Sequence, residues 1–135
     1  MPAATLGGMT NDNTALRNKE LALRGFREFA AGNIDVLHTL LHDDFLEHSP
    51  GNPSGKDAFI EFIAQAPVAG AKLELARVIA DDEYVVMHYR MAMPDETEPD
   101  QAVVDIWRMV DGTIVEHWDV VQPVPEPAQI PHGMF

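Results

Sequence analysis

Hydrophobic and polar positions recur at helical spacing over the first half of the chain and alternate with a period of two over the second. The clearest stretch is Val103–Gln122, VVDIWRMVDGTIVEHWDVVQ, where two runs rich in β-branched and aromatic residues flank Asp111-Gly112. Asp-Gly in that setting predicts a hairpin with a two-residue type I′ turn, because both central residues need positive φ. With that loop Val110 faces Thr113. Strict pairing then sets Ile106 against His117, Val104 against Asp119, Asp105 against Trp118 and Trp107 against Glu116. Alternation puts Val104, Ile106, Arg108, Val115, His117, Asp119 and Val121 on one face. Val103, Asp105, Trp107, Met109, Ile114, Glu116, Trp118, Val120 and Gln122 fall on the other. Both faces carry apolar groups, so both need cover, from helices, from another subunit or from both.

Upstream, residues 1–11 read as a flexible lead, with a helix starting near Asn11–Asn13 and burying Leu16, Leu23, Phe26 and Ala30. Gly32-Asn33 is a stop signal. A short second helix is predicted from about Ile34 to Leu41, with His38 and His42 one turn apart on it, either a pair of metal ligands or two surface histidines. Residues 45–55, FLEHSPGNPSG, read as a loop of fixed shape. Ser54-Gly55-Lys56-Asp57 has capping-box spacing and opens a third helix with Ala58, Phe59, Phe62 and Ile63 on its apolar side. From Lys72 the period is two. Leu73, Leu75, Arg77 and Ile79 alternate with Glu74, Ala76 and Val78 in one strand, and residues 84–93 form the next after an acidic turn. The tail, 123–135, holds four prolines, ends in Gly133-Met134-Phe135, and is expected to dock on the surface rather than pair as a central strand. Three helices followed by about four meandering strands make an α+β domain over residues 12–122.

The totals narrow the function. A length of 135 residues suits one domain. With no cysteine there is no disulfide and no thiolate metal site, and a reducing, cytoplasmic setting is expected. The N-terminus lacks the basic and apolar regions of a signal peptide, and no run approaches a membrane span. Twenty-two acidic residues against nine basic ones give a formal charge of −13. Nucleic acid and anionic membrane surfaces would repel such a chain, which leaves small molecules and proteins as partners. No nucleotide loop or flavin or nicotinamide fingerprint is present, so no cofactor is expected.

The order of elements, together with Glu47-His48-Ser49-Pro50, Gly55, the strand Val104-Asp105-Ile106-Trp107-Arg108 and the run Asp111–Gln122, resembles the nuclear transport factor 2-like superfamily. It is most similar to the SnoaL-like branch, named for a polyketide cyclase. The ending Pro123-Val124-Pro125-Glu126, with terminal Met134-Phe135, looks like the subgroup labelled predicted aldol-condensation enzymes. The resemblance implies a curled antiparallel sheet wrapped on helices, forming a cone with a deep pocket, and a homodimer through the outer sheet face. It places the acidic catalytic residue at Asp119, a further polar pocket residue at His48, and strand residues at His88 and Arg90. His117 would join them, with Val104 and Ile106 lining the substrate site, while Trp107, Trp118, Val103 and Val120 would face a second subunit. The acid–arginine–acid set of the related epoxide hydrolases is not matched. The assisting histidine of the cyclases has Val104 at the facing position.

A carboxylate and histidines in an apolar pocket suit proton transfer at carbon. Asp119 would take a proton alpha to a carbonyl of a small apolar molecule, and a histidine would hydrogen-bond the enolate oxygen. The alternatives are a structural role, with Asp119 paired to Arg90, a non-catalytic ligand-binding or dimerisation module, and a metal site of His48, His88 and His117. No metal is expected, since no pair of these has a recognised ligand spacing.

Overall fold

The computed structural model describes residues 2–135, with side chains from Asn13 onward. Helix α1 spans Pro2–Ala30. The lead expected over 1–11 falls on residues whose side chains lie outside the described ones, and their backbone from Pro2 onward continues the helix. Asn11–Asn13 therefore lie inside α1 rather than capping it. Of the residues expected to face inward on α1, Leu23 and Phe26 pack against the core, whereas Leu16 and Ala30 are exposed. Asn18, Ala22 and Gly25 are buried, Leu21, Phe26 and Phe29 pack beside them, and Leu16 is exposed. Asn18 donates from Nδ2 to the carbonyls of Asp81 and Asp82, tying the helix to the first hairpin turn of the sheet.

Helix α2 is only Val36–Leu40, and the chain passes directly into strand β1, Leu41–Glu47. This is a fifth strand, in a stretch expected to complete a helix and open a loop. Leu41 and Phe45 are almost wholly buried, and Leu46 and Glu47 pair in parallel with β5. A partner strand from the far end of the chain thus decides a conformation that local periodicity leaves open. His42 sits on β1 and His38 on α2, so they are not one turn apart on a single helix.

Helix α3 spans Lys56–Gln65. Its N-cap is Gly55, at φ 90°, with no side-chain cap. Ser54, expected to cap it, instead accepts the backbone N–H of Glu47 at 2.9 Å. Strands β2 (Lys72–Ala80), β3 (Tyr84–Ala92), β4 (Gln101–Val110) and β5 (Thr113–Pro123) complete a sheet of order β1-β5-β4-β3-β2, antiparallel except for β1 with β5. The helices cover one face, and the core lies between them and Val85, Met87, Tyr89, Val103, Met109 and Ile114. Among the described residues no helix is long and apolar enough to cross a membrane.

The hairpin turn is as expected, with Asp111 at φ 50° and Gly112 at φ 79°. The register beyond it is not. Met109 pairs with Ile114, but Arg108 pairs with Glu116, leaving Val115 as a bulge. Every later pair moves by one: Trp107 with His117, Ile106 with Trp118, Asp105 with Asp119 and Val104 with Val120. A one-residue slip exchanges the two faces of a strand. Val103, Asp105, Trp107 and Met109 therefore share the inner face with Ile114, His117, Asp119 and Val121. A second bulge at Ala76 does the same in β2, turning Val78 and Ala80 inward and leaving Ile79 63% exposed.

Candidate functional site

Between the helices and the inner sheet face lies a cavity of about 300 Å³. Phe26 and Phe29 from α1, Leu37 and Leu40 from α2, and Phe59 and Phe62 from α3 form its apolar side. Met87, Tyr89, Val103 and Trp107 form the sheet side. Polar groups gather at one end: Asp105, His117 and Asp119, with Ser49 and Asn52 from the segment after β1.

The bulge at Val115 brings these groups together. Because Asp105 and Asp119 are direct partners across β4 and β5, both carboxylates reach the same face. His117 sits between two more distant partners. Its Nδ1 lies 2.7 Å from Glu47 Oε1 and its Nε2 lies 2.8 Å from Asp105 Oδ1. Tyr89 donates its hydroxyl to the other oxygen of Asp105 at 2.8 Å. Glu47 is held in turn by the Asn52 amide at 3.1 Å. The indole of Trp107 stacks on the His117 ring, 3.9 Å between centroids. Glu47, His117 and Asp105 side chains are nearly or fully buried.

The electrostatics follow from this arrangement. Burial would lower the pKa of His117, but the hydrogen bonds and negative charges of Asp105 and Glu47 outweigh it and raise it to about 9. His117 is therefore an imidazolium at neutral pH, with both N–H groups donated to carboxylates. Burial would push Glu47 up, yet His117, Asn52 and the Ser49 backbone hold it below its ordinary value. Burial raises Tyr89 well above its ordinary value, and Asp105 adds to the effect. Asp119 is raised, chiefly by burial and further by the charges of Asp105 and Glu47, against a hydrogen bond from Ser49 and the charge of His117.

Of the four residues expected to carry chemistry, Asp119 and His117 are in the cavity wall. His48 and His88 are not. On β1, Phe45 and Glu47 point inward, so His48 points outward, where it stacks on Trp118 and meets Glu116. His88 alternates with the inward Met87 and Tyr89, and lies on the outer face against Arg77 and the terminal Phe135 ring. Arg90 lies on the same outer face, paired with Asp100 at 2.8 Å and 4.5 Å from the Phe135 centroid, not with Asp119. Val104 and Ile106, expected to line the pocket, are on the outer face. Val103 and Trp107, expected at a subunit interface, line the cavity. The facing residue of Asp119 is Asp105, not Val104. A metal site of His48, His88 and His117 is ruled out, because the sheet separates the first two from the third.

Another trio has the spacing for a metal. Ligand atoms of Asp105, His117 and Asp119 all lie within 4.8 Å of one another. A cation there would have to displace the Nε2 proton that His117 shares with Asp105. Sequence reasoning missed Glu47, Tyr89, Ser49 and Asn52, and set Asp105 and Trp107 on the face opposite Asp119. Alternation from the buried Phe45 was the available signal for Glu47.

The SnoaL-like domain model matches residues 22–117, which include most of this site. The chain belongs to the SnoaL-like domain family. Solved structures agree on the fold. A nuclear transport factor 2-like protein of unknown function from Burkholderia xenovorans superposes with a TM-score of 0.74 at 17% identity, covering 88% of this chain and 96% of that one. A candidate SnoaL-like polyketide cyclase from a Jannaschia species gives 0.69 at 21% identity, with 80% and 87% covered. A steroid delta-isomerase from Pseudomonas aeruginosa gives 0.65 at 20% identity, with 79% and 80% covered. No curated protein matches the sequence. In this chain the carboxylates of Glu47, Asp105 and Asp119 surround the buried His117 imidazolium.

Proposed function

We propose that this SnoaL-like domain catalyses cofactor-independent proton transfer at a carbon alpha to a carbonyl of a small apolar molecule, with Asp119 as the base. The observation that carries this reading is a carboxyl at the end of an apolar cavity whose burial has already raised its pKa. A desolvated carboxylate is a stronger base. The C–H bond breaks, its proton goes to an Asp119 oxygen, and the electron pair moves onto the carbonyl oxygen as an enolate. The enolate is then reprotonated at another carbon or adds to a second carbonyl. Ser49 donates to Asp119 in the resting site. Once Asp119 is protonated, that hydroxyl is released to bond the enolate. His117 has no N–H to spare, so it acts through its buried positive charge.

The test is deuterium exchange at the alpha carbon of aryl ketones in heavy water. Wild type is expected to exceed buffer, and Asp119→Asn to lose a factor of about 10² to 10⁴. Undiminished exchange in a folded Asp119→Asn protein would sink the reading. The complete pairing of His117 and Asp105 within the protein favours a second reading, a non-catalytic ligand-binding module. Ligands that raise the melting temperature with no exchange would favour it.

We also propose a homodimer in the cytoplasm, formed through the outer sheet face. Trp118 and Val120 lie there with Val104 and Ile106, and Val120 is 67% exposed. A monomer by light scattering at micromolar concentration would overturn it.

A further inference from the structure

We infer that the cavity binds an apolar ammonium compound, with the cationic nitrogen at Asp119 and the hydrocarbon against the aromatic walls. This inference concerns the same cavity as the proposed reaction but does not depend on it.

The polar end of the cavity is short of positive charge. Asp105 and Asp119 line it and Glu47 stands behind His117, whereas His117 is the one basic group among the lining residues. Among the described residues no lysine or arginine lines the cavity. The imidazolium is shared between Glu47 and Asp105 at hydrogen-bond distance, so it leaves Asp119 without a full counter-charge. The polar groups reaching Asp119 are Ser49 and the charges of its neighbours, two of which repel it. A carboxylate or phosphate ligand would meet two carboxylates there and an imidazolium already shared between Glu47 and Asp105, and a neutral ligand would leave Asp119 only partly compensated. A protonated amine would supply what is missing.

The walls favour the same ligand. Phe26, Phe29, Phe59, Phe62 and Trp107 give the cavity aromatic faces, against which the ligand's hydrocarbon packs. An ammonium group can donate to the Asp119 carboxylate and the Ser49 oxygen together. The chain's formal charge of −13 raises the local concentration of cations around the cavity mouth.

Three naphthalene probes of nearly equal size test the inference by calorimetric titration at pH 7: naphthylmethylamine, naphthylmethanol and naphthoic acid. The amine is expected to bind at least about tenfold more tightly than the alcohol, with the acid weakest. Asp119→Asn is expected to remove the preference for the amine and leave alcohol binding in place. Equal binding of amine and alcohol, acid binding best, or no amine binding up to its solubility would overturn the inference. So would a preference that survives Asp119→Asn. If that variant does not fold, the carboxyl carbon resonance of Asp119 in wild type is read instead. It is expected to move with amine and not with alcohol, and a resonance unmoved by saturating amine would overturn the inference. Loss of amine binding with ketone exchange intact would leave the proposed reaction standing, and the converse would leave this inference standing.

Discussion

Glu47 Oε1 lies 2.7 Å from His117 Nδ1, although the two residues are 70 positions apart in the chain. Parallel pairing of β1 with β5 puts them side by side on the inner face. Glu47 is thus a positioning residue, which keeps His117 charged and fixes its ring. Glu47→Gln is expected to lower the pKa of His117 from about 9, followed by the ring proton shifts in an NMR titration. The lost charged hydrogen bond is expected to cost about 1.5–3 kcal/mol in denaturant unfolding. An unmoved His117 titration would show that Asp105 alone holds the proton.

The same pair sets a pH window for stability. His117 is raised in the folded state, so its contribution is fully present below its unfolded value of 6.5 and is lost as pH rises through about 9. Glu47 is lowered, so its contribution is present above 4.5 and is lost as pH falls through its folded value. Thermal melts are expected to show a plateau between these limits and a decline on each side. The alkaline decline is expected to vanish in His117→Gln, even though that variant is less stable overall.

Tyr89 donates to the Asp105 oxygen that His117 leaves free. Tyr89→Phe keeps the ring against Phe26, 5.1 Å between centroids, and removes only the hydroxyl. A buried carboxylate oxygen is left short of a donor, so a loss of about 1–3 kcal/mol is expected in urea unfolding. A neutral result would mean that water replaces the hydroxyl.

Trp107 stacks on the imidazolium, and Trp118 lies on the opposite face of the sheet against His48. In a Trp118→Phe protein the remaining emission comes from Trp107. It is expected to brighten as pH passes about 9, because a protonated imidazole quenches an adjacent indole more than a neutral one. The reciprocal Trp107→Phe protein is expected to lack that step.

Two neighbouring valines test which face of β4 is buried. Val103 is 3% exposed, and a charge there would be buried, so Val103→Asp is expected not to fold. Val104 is on the outer face, so Val104→Asp is expected to fold with a change within about 1 kcal/mol and to weaken self-association. A folded Val103→Asp protein beside an unfolded Val104→Asp protein would show the other face of β4 to be the buried one.

The hairpin, its turn, three helices, the α+β class and the family were all legible in the sequence, because each rests on a local pattern or a quoted motif. Asp119 and His117 were legible as cavity residues too, since the resemblance placed Asp119 in the pocket and His117 shares its parity on one strand. What one strand's own pattern does not show is where its neighbour slips. The family resemblance set His48, His88 and Arg90 inward, while an unbulged register put Val104 and Ile106 on the face of Asp119 and left Asp105 and Trp107 on the other.

Sequence by itself determined the turn at Asp111-Gly112, through the positive φ of both residues, and the stock of acidic and aromatic groups available for a site. Tertiary structure decided which of them meet. Val115 and Ala76 are bulged against β4 and β3, and a bulge is a property of two strands and not of one. Likewise β1 becomes a strand because β5 is there to pair with it. These long-range choices bring Glu47 to His117 and Asp105 to Asp119.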